Sequence, residues 1–463
     1  MQNRALDQVN VFREQTVEDL MEFIRIPSQS GTPELKQEVL RAAQWMAGKL
    51  EAVGADHVRI LPTAGNPVVY ADWIHDPEAP TVLVYGHYDV QPPEPLNEWE
   101  SPAYAPQVRE GRIYGRGASD DKAGLVLALA VLRAFKAAGE VPSVNLKFCF
   151  EGEEEVGSPN LGPFIEQEAD RFSADLVLSV DGGQWSETQP QVLLGYRGIV
   201  AMELKVEGPA KDLHSGLMGG AVLNPVEGLV RLLGSMKDPE GRITIEGFHD
   251  EVRAVSEAER DAMNRIPGNV EALTEAAWGA PLTGEPGYTA IERTWIRPTL
   301  DINGIWGGHS GPGAKTIIPA RAGCKISCRL VADQDPNRIV GLIRAHVEKH
   351  TPEGISATLD FEPSRAWPYS IPADHPARKV LKEVLEEVFE CPAFETRVGG
   401  SIPVTYVFSQ ILKAETIGLG CSTPNCNLHA PNEWVSLELL HRSTKCAVLL
   451  LQRIGTRLAE ARD

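Results

Sequence analysis

TVLVYGHYDV, residues 81–90, decides the fold class: an apolar run of strand length leads straight into a glycine, a histidine and an aspartate. A short apolar run bounded by turn formers reads as a strand buried on both faces, the kind a helix-covered parallel sheet contains. SVNLKFCF (143–150) and DLVLSV (175–180) repeat the pattern. Between the first two lies KAGLVLALAVLRAFKAAG (122–139), apolar on most faces, with Ser119 and Asp120 near its start and Gly139 at its end. It is expected to be a helix buried against the sheet and capped at both ends. The expected class is α/β, with a mixed, mainly parallel sheet.

The grammar changes near Gly198. GIVAMELKVE, NPVEGLVRLLGSM, a long polar insertion, TLDING, GCKISCRLVA, PNRIVGLIRAHVEKH and ISATLDF follow one another. Strand, helix, strand, strand, helix, strand is the order of an α+β ferredoxin-like unit. After Trp367 the α/β pattern resumes with PARKVLKEVLEEVF, ETIGLG and a long final helix from Ser436. A chain of 463 residues exceeds what one core usually fills. Residues 1–197 with 366–463 are therefore expected to form one domain, interrupted by a second at 198–365. The insertion near 238–294 is rich in charge, Gly and Pro, and fits either a surface elaboration or part of a lid.

Acidic residues number 64 against 44 basic, giving a net charge of −20 that repels nucleic acid and anionic membranes, and no basic patch offsets it. No apolar stretch approaches a membrane span, and the amino terminus does not read as a secretory signal, so the expected location is the cytoplasm. The seven cysteines are scattered without C-x-x-C spacing, which argues for reduced thiols rather than disulfides or a zinc knuckle.

Five segments carry candidate chemistry. In GHYDV, His87 and Asp89 point the same way from an extended chain, so the carboxylate can fix the tautomer of a metal-ligating imidazole; H-x-D equally serves ordinary hydrogen bonding. Asp120 and Asp121 of GRGASDDKAG fit helix capping as well as ligation. Glu153, Glu154 and Glu155 of EGEEEVGS, Asp181 of SVDGG and His429 of NLHAPNE have bland readings as a solvated charge run, a strand end and a loop residue. Jointly they say more. All sit just after strands or at a helix entry, where open α/β sheets place their sites. Two histidines with several carboxylates make a nitrogen and oxygen set suited to catalytic zinc, and the surplus carboxylate suggests a pair of ions sharing a bridge.

These segments resemble the cocatalytic zinc exopeptidases: carnosinases and related dipeptidases, carboxypeptidase G, aminoacylase, and the acetylornithine and succinyl-diaminopimelate deacylases. GHYDVQP, GRGASDDKAG, EGEEEVGS, DLHSG, the RLV of SCRLVA, GGSIPV and HAPNE occur in that family's order over nearly the whole chain. The resemblance implies two Zn2+ per subunit, with Mn2+ or Co2+ as alternatives. His87 and Asp181 would be terminal ligands of one ion, Glu155 and His429 of the other, with Asp120 bridging. Asp89 would orient His87. The family pattern E-G-x-E-E-x-G-S makes Glu154 the general base for a hydroxide bridging the ions. His214 of DLHSG would stabilise the oxyanion, in dimeric members by reaching the partner's site; Arg329 would hold the substrate carboxylate, and Ser401 would lie near the substrate. The inserted domain would be a lid that also forms a homodimer. Aspartate at 181 and the long insertion favour a carnosinase-like dipeptidase acting on small peptides. An N-acyl amino-acid deacylase and a catalytically silent metal-binding scaffold are the alternatives.

Overall fold

The computed structural model describes residues 3–268, 271, 273, 274, 279–361, 365–400 and 403–462. The chain divides into two compact units: residues 1–194 with 371–396 and 407–463, and residues 195–370 with 397–406. Stretch 397–406, assigned by the sequence reading to the outer part, groups with the second unit; there Arg197 donates from Nε to Gly399 O (2.9 Å) and from its main-chain N to Gly400 O (3.0 Å).

The first unit carries a six-stranded sheet in the order Asp56–Leu61, Val68–Trp73, Asn145–Glu151, Thr81–His87, Leu176–Ser179, Glu415–Gly418. The last four run parallel and Val68–Trp73 pairs antiparallel at its junction with them, so the sheet is mixed and mainly parallel. Val82, Leu83, Val84 and Tyr85 are buried, as a strand covered on both faces requires. The helix Lys122–Ala138 is buried along most of its length and ends on Gly139 at φ 61°, a left-handed conformation that glycine adopts without a Cβ clash. Helix Leu437–Arg462 packs against it and against Pro376–Phe389.

The second unit is an antiparallel sheet ordered Thr299–Gly307, Arg321–Leu330, Gly198–Glu207, Ser356–Phe361. Helices Pro225–Gly234 and Pro336–His350 cover one face, burying Leu204, Leu229, Cys324, Cys328 and Ile343 in a common core. This is the strand-helix-strand-strand-helix-strand order expected. Within the insertion, Glu257–Asn264 and Ala290–Trp295 each begin with a capping box, and Met263, Ile291 and Ile296 form a small separate core. Arg260 pairs in two-pronged fashion with Glu292, and Arg260 and Arg297 both lie against the Tyr288 ring, 5.1 and 4.5 Å from its centroid. Charged contacts organise this region as much as apolar burial does.

Candidate metal centre

Three adjacent parallel strands of the first unit bring their carboxyl ends to one edge. His87 closes Thr81–His87, Glu154 and Glu155 open a short turn after Asn145–Glu151, and Asp181 lies just beyond Leu176–Ser179. Asp120 comes from the turn before the buried helix, and His429 from a loop where it holds φ at 58°. The helix-capping expectation fails here. No side chain caps that helix; the Ser119 hydroxyl donates to Cys426 Sγ (3.3 Å), and the Asp120 carboxylate turns to the histidines.

Asp120 presents one oxygen to each imidazole: Oδ1 lies 3.0 Å from His87 Nε2 and Oδ2 lies 2.9 Å from His429 Nε2. Behind His87 stands Asp181, Oδ2 at 3.9 Å; behind His429 stands Glu155, Oε2 at 3.3 Å. Two triads result, His87–Asp120–Asp181 and Asp120–Glu155–His429, with donor atoms in each within 4.8 Å of one another. Two ligands bound to a tetrahedral ion at about 2.0–2.2 Å stand roughly 3.3 Å apart, so these spacings fit a divalent ion in each triad. The donors are nitrogen and oxygen only, which suits zinc and leaves manganese and cobalt acceptable.

The charges point the same way. Burial pushes Glu154 up to about 9; His87 opposes this, while Asp181, Asp120 and Glu155 reinforce it. Burial likewise pushes Asp181 up to about 6, against His87 and with Asp120, Glu155 and Asp89. Burial works against the charge of Asp120 too, but hydrogen bonds from His429 and His87 hold it below the usual carboxylate range. Hydrogen bonds to Asp120 and Glu155 raise His429 to about 10. A buried gathering of carboxylates whose protons are hard to shed is what a bound cation relieves. Among the described residues, none donates a hydrogen bond to the Glu154 carboxylate, which leaves it available to hold a proton.

Asp89 does more than orient His87. Its main-chain oxygen is 3.1 Å and its Oδ1 3.4 Å from His87 Nδ1, while Oδ1 and Oδ2 accept from Glu154 N (3.2 Å) and Glu155 N (3.1 Å). One buried carboxylate thus fixes a histidine and the glutamate turn together. Three further residues escaped the sequence reading. Gln91 holds Glu155 through its main-chain N to Oε1 (3.1 Å) and its Nε2 to Oε2 (2.8 Å). Glu433 is fully buried and accepts four hydrogen bonds: Oε2 from Arg116 Nη1 (2.7 Å) and Gly117 N (2.9 Å), Oε1 from Ser119 N (2.8 Å) and Asp120 N (3.1 Å). Glu433 therefore ties the backbone that carries Asp120 to the loop that carries His429. Its position in HAPNE, and that of Arg116 in GRGAS, were the available signals.

His214 and Arg329 belong to the second unit. His214 is exposed, and its Nδ1 accepts from Gly216 N (3.0 Å), which places the proton of the neutral ring on Nε2. Arg329 lies near the end of Arg321–Leu330, paired with Thr299 on one side and Ile199 on the other. It lines a cavity of about 540 Å³ formed wholly by residues of this unit, together with Arg197, Lys237, Arg293 and Asp301. Ser401 lies outside the described residues.

An α/β sheet beside which two histidines and three carboxylates gather in two candidate metal-binding triads has the site of a metal-dependent hydrolase. The chain belongs to the peptidase family M20/M25/M40, whose model matches residues 83–453. It is 33% identical to the Cys-Gly metallodipeptidase dug1 of Schizosaccharomyces pombe over 92% of each chain. It is 29% identical to the human Beta-Ala-His dipeptidase, covering 94% of this chain and 89% of that one. Among solved structures, the M20 family metallo-carboxypeptidase Sso-CP2 from Sulfolobus solfataricus matches with a TM-score of 0.81 and 30% identity, covering 95% of this chain and 99% of that one. No helix among the described residues is long and apolar enough to cross a membrane.

Proposed function

We propose that this peptidase hydrolyses unblocked dipeptides, using two divalent ions, zinc or alternatively manganese or cobalt, held by His87, Asp120 and Asp181 and by Asp120, Glu155 and His429. The observation that carries the reading is the division of the Asp120 carboxylate, one oxygen to each histidine. Bound there, such ions would supply Lewis acidity toward the scissile carbonyl and make water at the site easier to deprotonate. Glu154 would take the attacking water's proton on its carboxylate and pass it to the departing amine, so one residue would serve both steps. Asp89 keeps His87 and the Glu154–Glu155 turn in register. Arg329 holds the substrate's free carboxylate through its planar fork of donors, and Ser401 contributes beside it.

The second unit serves as a lid and as the surface of a homodimer, from which His214 stabilises the oxyanion in the other copy's site. Support for self-association comes from the sheet edge Thr299–Gly307, where Ile302, Ile305 and Trp306 are 51%, 55% and 44% exposed. An open strand edge bearing apolar side chains is a template for pairing. The test is a panel of dipeptides and N-acyl amino acids presented to the metal-reconstituted protein: hydrolysis of dipeptides supports the reading, and hydrolysis confined to N-acyl amino acids overturns it.

A further inference from the structure

The cavity around Arg329 holds more positive charge than one carboxylate needs. Beside Arg329, three more cations line it, Arg197, Lys237 and Arg293, with two acids, Asp301 and Glu285, of which Glu285 forms a two-pronged pair with Arg297. This runs against a chain whose net charge is −20. Cationic groups focused in a cleft with low-dielectric walls attract anions and raise their local concentration.

Arg197 adds an independent observation. Its Nε is spent on Gly399 O, and its main-chain N on the same glycine-rich loop, yet its Nη1 is buried with no hydrogen-bond partner among the described residues. Burial pushes this guanidinium down to about 10, with the charge of Arg329 adding to the effect and Asp301 opposing it. A buried donor left unpaired is costly. At about 540 Å³ the cavity also has space beyond an anchored terminal carboxylate.

We propose that this cavity recognises a second carboxylate, the side chain of a C-terminal Asp or Glu, with Arg197, Lys237 and Arg293 selecting it while Arg329 holds the terminal carboxylate. The inference rests on the dipeptidase reading and names its substrate class: dipeptides with an acidic C-terminal residue.

The test compares Ala-Glu with Ala-Gln, which differ in charge and hardly in shape. kcat/KM is measured on the metal-loaded protein, and affinity by calorimetric titration of Glu154→Gln, which does not depend on turnover. Ala-Glu is expected to be favoured in both by about tenfold, the weight of one charge-assisted hydrogen bond. Lys237→Gln and Arg293→Gln should each shrink that ratio. Equal or weaker binding of Ala-Glu overturns the proposal even if both peptides are cleaved, which leaves the dipeptidase reading standing. Preferential binding of Ala-Glu without cleavage of any dipeptide by the wild type retains the anion pocket and removes the dipeptidase reading.

Discussion

Glu433→Gln probes how Asp120, the proposed bridging ligand, is held in place. The substitution keeps the shape of the side chain but turns one acceptor oxygen into an amide donor, so two of four donors, among Arg116 Nη1 and the main-chain N–H groups of Gly117, Ser119 and Asp120, lose their partner. It also leaves the buried Arg116 guanidinium without its counter-charge. Breaking a buried pair from one side costs about 3–5 kcal/mol, which includes the lost charge-assisted bonds. Loss of a group that orients a ligand lowers metal affinity by about 10–100-fold. Urea unfolding of the metal-free protein reads the first quantity, and calorimetric titration with Zn2+ the second. Adding Arg116→Met separates them. The double variant no longer buries an unpaired charge and should recover much of the stability, yet the Gly117, Ser119 and Asp120 N–H groups still lack a carboxylate, so metal affinity should stay low. Recovery of both together, or a folded Glu433→Gln protein with unchanged affinity, would refute the positioning role.

Glu154→Gln should retain bound metal by elemental analysis while kcat falls by about 10²–10⁴-fold, the usual worth of a positioned proton acceptor. Asp120→Ala removes the one carboxylate shared by both triads and should abolish binding at both, whereas Asp181→Ala should spare the triad of Asp120, Glu155 and His429; metal stoichiometry by titration distinguishes them. His214→Ala should lower kcat by about 10²–10³-fold with metal content intact, as expected of an oxyanion donor. Burial holds His441 at about 4, with Lys445 and Arg13 adding to the effect. Because this folded value lies below that of the unfolded chain, about 6.5, protons favour the unfolded state and stability is lost as pH falls from about 6.5 toward 4. Urea midpoints of metal-free His441→Gln should fall less steeply over that window than those of the wild type.

The sheet, the buried helix and the ferredoxin-like order were legible because each rests on apolar periodicity, which local sequence records directly. The candidate metal-binding residues were legible because three of them, His87, Glu155 and Asp181, follow recognisable apolar runs. Asp120 was the ambiguous case, since a carboxylate before a helix satisfies capping and ligation equally on paper. Its carboxylate turns to His429, 309 positions away, a contact that no local pattern records. Glu433 and Arg116 were not legible for the same reason: a charged residue reads as exposed until a partner 317 positions away removes it from water. The insertion hid its structure because much of it rests on Arg260, Glu292, Tyr288 and Arg297, side chains that carry no helical or strand period.

The most direct measurement is release of free amino acid from Ala-Ala by the metal-free protein as Zn2+ or Mn2+ is titrated in. The account predicts no hydrolysis without metal and activity that climbs until two ions are bound per chain, as a carboxylate shared between His87 and His429 requires. Hydrolysis that is indifferent to metal, or complete with a single ion, would contradict it.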